Sequence, residues 1–245
     1  MILPNVRASF GPEEVRWVLR LLSRGDEERR DRWERTLEEE GLDDLLDRDE
    51  TLERLLDADR VEVLPLRLVL YVLIRHALVD SGIESRDIAD YVTALVAEFG
   101  IGRRARRIAE HGDREYGYLV DILEDLHRAD GREAFLLQAH LGNFALWLSG
   151  LFPDWIDARV RRKGAPGLDY YEEMGSTGYR LAADDRHAEQ HSLADLYRDA
   201  ADAFVPLRQT LNRVSDRVLF PRPRSPVERL LRQARDGLGD RDLPH

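Results

Sequence analysis

Glu133 to Phe152, EAFLLQAHLGNFALWLSGLF, is the most apolar long run of the chain that still carries polar residues. At about 100° per residue, Gln138, Gly142, Ala145 and Ser149 fall on one strip of small or neutral polar groups. His140, Asn143 and Trp147 form a second line on the opposite side, because i, i+3 and i+7 share a face. Leu136, Leu137, Leu141, Phe144, Leu146 and Leu148 fill the space between. A helix that is apolar nearly all round is one that neighbours surround. The fold that follows is all-α: a single-domain multi-helix bundle around two buried central helices, of which this is one.

The second central helix is Leu66 to Val79, apolar on most sides, with Arg75 and His76 near its C-terminal end where cations complement the helix dipole. Before it, residues 1–60 read as charged amphipathic helices packed on the core or projecting from it. Ser9 and Pro12 mark the first helix start, and acid-first i,i+4 pairs such as Asp26/Arg30 and Asp31/Arg35 lace the next segment. Residues 61–220 form the helical core. Within it, Asp169 to Ala183, DYYEEMGSTGYRLAA, reads as a helix despite Gly175 and Gly178. Interior glycines cost about 1 kcal/mol each against alanine, so they signal close packing or a local break, and for close packing the strip Gln138/Gly142/Ser149 is the natural partner. Ser192, with Asp195 three residues on, predicts a cap for one long helix, Leu193 to Leu219, kinked at Pro206. Residues 221–245 are a Pro- and Arg-rich tail with one short helix and a disordered end.

The composition excludes several chemistries. Without cysteine there is no disulfide, thiolate nucleophile, iron–sulfur cluster or Cys-ligated zinc. A formal net charge of −11 argues against nucleic acid and anionic membrane as partners. No signal-peptide pattern opens the chain, and no charge-free apolar run reaches the roughly 20 residues of a bilayer span; the address expected is cytoplasmic. Lys163 is the only lysine, and arginine supplies the remaining positive charge. Gly100 to Arg107 lacks the preceding strand that a dinucleotide loop needs, and its arginines read as partners for acidic neighbours.

The residues that could carry chemistry are few. Glu124-x-x-His127 and Asp184-x-x-His187 with His191 have fragments of metal-ligand spacing in strongly polar surroundings, and no metal or other cofactor is assigned. His140 and Asn143 are better motivated, because a buried imidazole and amide must be hydrogen-bonded. They belong either to a polar network that fixes helix register or to a ligand pocket with Trp147 as stacking face. Tyr170, Tyr171, Glu172, Glu173, Arg75 and His76 are the candidate partners. The function read from this pattern is non-enzymatic, through protein partners or self-association into a homo-oligomer, since no catalytic set accompanies the pair. The alternative is a small-ligand or cofactor-binding bundle, with enzymatic activity left open. A nucleic-acid binder working through the arginine clusters ranks last.

Overall fold

The structure, a computed structural model, describes residues 1–57, 65–100, 104–107 and 115–219. Among these residues every regular element is helical, so the chain is all-α, and the two helices predicted as centres, Leu66–Val79 and Gly131–Leu151, each bury residues on every side. No single helix among them is long and apolar enough to cross a membrane. The chain is organised in two compact units, residues 2–101 and residues 102–245.

The first unit opens with a 3₁₀ turn, Arg7–Ser9, and α1, Pro12–Ser23. Ser9 does not cap α1. Its hydroxyl is spent on the Val6 carbonyl at 2.6 Å, and the cap is Gly11, whose N–H is held by the Glu14 carboxylate at 2.8 Å. Arg24 and Gly25, both at positive φ, end the helix. α2, Glu27–Glu40, is capped by Asp26, which accepts from the Arg29 N–H, and it buries no residue. The short helices α3, Leu42–Leu46, and α4, Asp49–Leu56, turn inward through Leu45, Leu46, Thr51 and Leu55. The central α5, Leu66–Val79, buries residues on every side, including Tyr71, Val72 and Ile74. α6, Arg86–Phe99, packs along it and is capped by the Ser85 hydroxyl, which accepts from the Ile88 N–H at 3.2 Å.

The second unit is built on α8, Gly131–Leu151, with α7, Leu119–Leu126, α10, Leu168–Ala183, and α13, Phe204–Val214, packed around it. α9, Pro153–Lys163, leaves α8 at a bend of 91°. α11, Arg186–Gln190, and α12, Ala194–Asp202, complete the unit, and a five-residue π turn, Ser215–Leu219, follows α13. Proposed and observed neighbours of the small-residue strip agree: α8 and α10 share the most extensive contact among the described helices. A β-carbon on Gly178 would lie 2.7 Å from the Gly142 nitrogen and 2.9 Å from the Gln138 carbonyl oxygen. One on Gly142 would meet the Tyr179 ring at 2.5 Å, and one on Gly175 the Phe204 ring at 2.2 Å. The glycines are therefore the condition for this approach of two backbones.

The single long helix expected over 193–219 is two helices. The chain breaks at Ala203, three residues before Pro206, so the proline falls in the first turn of α13. Its missing N–H is not needed there, whereas in a continuous helix its ring would strike the carbonyl of Asp202. Ser192 does not cap the segment either. It takes a positive φ of 56° at the exit of α11, α12 begins at Ala194, and Asp195 pairs with Arg198 at 2.6 Å. The tail expected over 221–245 lies outside the described residues, as do 101–103 of the glycine–arginine segment.

Candidate functional site

The line His140, Asn143, Trp147 is buried at its first two members, which are 4% and 3% exposed. Asn143 is used inside the unit: its Oδ1 accepts the Tyr179 hydroxyl at 2.9 Å. Tyr179, fully buried, stacks on Tyr197 with centroids 5.8 Å apart and contacts Phe204 at 6.0 Å. One tyrosine thus fills the groove that Gly142 leaves and satisfies the amide one residue on. The His140 ring lies 5.8 Å from Tyr116 and 6.1 Å from Phe144, and the Tyr116 hydroxyl donates to Asp125 at 2.8 Å. Trp147, half-buried, sits against Phe144 and edge-on to Phe152 at 5.0 Å.

Glu172 belongs to a different constellation. Its carboxylate takes the Nε and a terminal nitrogen of Arg208 at 2.9 and 2.7 Å. Arg208, 3% exposed, also donates to the Asn212 side-chain oxygen at 2.9 Å. The Asn212 amide donates in turn to the carbonyls of Ser149 and Gly150 at 2.8 and 2.6 Å, and the Ser215 hydroxyl to that of Leu151 at 2.8 Å. These are the last carbonyls of α8, which have no partner within the helix. The chain from Glu172 to Ser215 is therefore the C-terminal cap of the central helix. Sequence reasoning missed Arg208 and Asn212, although their i,i+4 spacing was visible.

Arg75 and His76 lie in the first unit and are committed there. Arg75 was expected to complement the end of α5. It is instead 7% exposed and clasps Asp47 with two nitrogens at 3.0 Å each, while a third donates to the Glu84 carbonyl at 2.7 Å. The reason is α3, which brings Asp47 onto the face of α5 that carries Arg75. His76 Nε2 pairs with the Leu46 carbonyl at 3.0 Å. Asp47 also receives Arg86, and Arg86 reaches Asp44. Burial raises the Asp47 carboxyl pKa, but the hydrogen bonds from Arg75 and Arg86 outweigh it and hold the group below the usual carboxylate range. Asp90 goes the other way: burial raises it, and the Arg7 backbone N–H only partly offsets this. Tyr71 is raised by burial as well.

The fragments of metal spacing also have local partners. His127 faces the Leu123 carbonyl of its own helix at 2.7 Å, and His187 pairs with Asp185 at 2.7 Å while stacking on Phe135. Among the described residues no group of three or more His, Asp or Glu side chains converges to hold a metal ion. Arg107 pairs with Glu115 at 2.7 Å, as the acidic surroundings predict.

Tyr170 is half-buried and Tyr171 buried, and their rings meet edge-on at 5.8 Å. Burial pushes the Tyr171 hydroxyl up, with Arg159 pulling the other way. The Arg159 guanidinium lies 4.6 Å from the Trp155 ring, one turn back on α9, and 4.9 Å from the ring of Tyr118, which precedes α7. Asp121 fixes the Tyr118 backbone by accepting its N–H at 3.1 Å. The other end of α9 is set by Gly164 in the left-handed conformation, with Gly164 N–H on the Val160 carbonyl and Ala165 N–H on that of Arg159. Tyr118 and Trp155 are 50% and 42% exposed, an uncommon state for large aromatic side chains. The i,i+4 pair Trp155/Arg159 was readable in the sequence, but Tyr118 comes from the start of a helix remote along the chain. Compared with models of known protein families, with curated proteins and with solved structures, the chain matches none.

Proposed function

We propose that this is a non-enzymatic helical protein that acts by binding a protein partner, with the Tyr118–Arg159–Trp155 surface as its contact. The observation that carries this reading is the pair of half-exposed aromatic rings held on either side of one arginine. Tyr, Trp and Arg are the residues enriched at interfaces and at their energetic centres. Val120 and Val160, on the same two helical segments, are also exposed, at 51% and 37%. The polar side chains that suggested a pocket support the same reading from the other direction: Asn143, Glu172, Arg75 and His76 each have a structural partner inside the fold. The test is light scattering and cross-linking of the protein as it is purified from its native source, with wild-type chain and Trp155→Ala compared. A specific complex that Trp155→Ala releases is the expected result. A strict monomer with no partner retained in either form refutes the proposal.

A further inference from the structure

We infer that the Arg159 surface takes a carboxylate from an acidic peptide segment of the partner, an inference that rests on the protein-binding reading above. Among the described residues the Arg159 guanidinium touches two aromatic rings and makes no hydrogen bond or ion pair. This sets it apart from Arg75, Arg86 and Arg208, each held by a carboxylate. Stacking fixes the plane of a guanidinium while leaving its in-plane N–H donors at the edge, and that fork matches a carboxylate in bidentate geometry. The aromatic rings also shed water from the site, which strengthens a charge-assisted bond made there.

The surrounding charge selects the same ligand. Arg161, Arg162 and Lys163 follow on the last turn of α9, so a chain of net charge −11 presents four cations within five residues beside its exposed aromatics. Arg162 and Lys163 are exposed. Such a patch draws an acidic segment and, by its flanking rings, one that also carries an apolar side chain. A single-stranded nucleic acid shares the negative charge, but it binds by stacking bases on open aromatic faces. Here Arg159 already covers one face of both Tyr118 and Trp155, and the net charge of the whole chain repels a polyanion.

The experiment is titration of the full-length protein into three fluorescein-labelled probes: an Asp/Glu-rich peptide with one Leu and one Phe, the same peptide with Asn and Gln in place of the acids, and an RNA oligonucleotide. Expected is binding of the acidic peptide alone, weakened by salt, and lost about tenfold or more in Arg159→Ala, the scale of one charge-assisted hydrogen-bond pair. Arg159→Lys loses most of the same affinity, because a lysine keeps the charge without the stacked fork. Unchanged melting curves of both variants show that the loss is not unfolding. Equal binding of the acidic and neutral peptides, abolished by Trp155→Ala and indifferent to Arg159→Ala, overturns the carboxylate assignment and leaves the protein-binding reading standing. Binding of RNA with neither peptide overturns both. No binding of any probe overturns the acidic-segment inference, and a dimer that Arg159→Ala dissociates would then make a second copy the occupant.

Discussion

Replacing Gly178 by alanine tests the packing on which the second unit is built. The added β-carbon would lie 2.7 Å from the backbone nitrogen of Gly142 and 2.9 Å from the carbonyl oxygen of Gln138. Contact at ordinary separation, roughly 3.5 Å, requires α8 and α10 to part by about 0.8 Å. The obstructing atoms are main chain, so no side-chain rotation relieves them. Overpacking of this kind costs about 1–3 kcal/mol, and the rigid neighbours place this case at the upper end. Alanine recovers about 1 kcal/mol of helix propensity, leaving a net loss of about 2 kcal/mol. For a domain of this size that lowers the melting temperature by about 4–8 °C. Thr177→Ala on the exposed face of the same helix carries a propensity gain with no new contact, and it should raise stability by a few tenths of a kcal/mol. Circular dichroism melts of the two variants beside wild type decide the matter. A Gly178→Ala protein that melts at or above the wild-type temperature, together with Thr177→Ala, refutes close packing as the reason for glycine.

Arg208→Met strips a buried cation from Glu172 and Asn212 and should cost about 3 kcal/mol in denaturant unfolding, with part recovered when Glu172→Gln is added. Asp47→Asn changes the pH dependence of the first unit. The Asp47 carboxyl is held below 3.8 in the folded chain, so its contribution is present above that pH and is lost as pH falls through the lower folded value. Asp90, raised by burial, acts with the opposite sign over the range above 3.8; wild type compared with Asp47→Asn at each pH isolates the first effect, and the variant should lose less stability on acidification below about pH 4. Pro206→Ala should change stability by less than about 0.5 kcal/mol, since the proline sits in a first helical turn where no hydrogen bond is forfeited. A gain of about 3 kcal/mol would instead indicate an interior kink relieved.

What the sequence disclosed depended on how local each signal was. The central helices, the ends of α6 and α9 at Phe99 and Lys163, and the pairing of the Gly142 strip with YYEEMGSTGY follow from periodicity and from the cost of glycine in a helix. The candidate site was less readable, because its members were grouped by burial and polarity alone. Asn143 did find a buried partner, but it was Tyr179, placed by its own packing against Gly142. Glu172 was drawn away by Arg208, and Arg75 by Asp47, partners 36 and 28 residues distant. Such pairings depend on helix register between elements, which no pattern within one helix encodes. The break at Ala203 was misplaced by three residues because an interior proline and a first-turn proline look alike until the preceding carbonyl is located.

The enclosure of α8 has a consequence in time. A helix with a solvent face can lose one neighbour and survive on the rest, but α8 is covered on several sides, and its last carbonyls are capped by side chains of α13 and the turn after it. Its amide protons therefore wait for the opening of the whole unit before they reach water. α2 buries nothing, and its amides are released by fraying of one short helix. Among the described helices, α8 and α2 thus run on very different clocks, set by how much of each its neighbours cover.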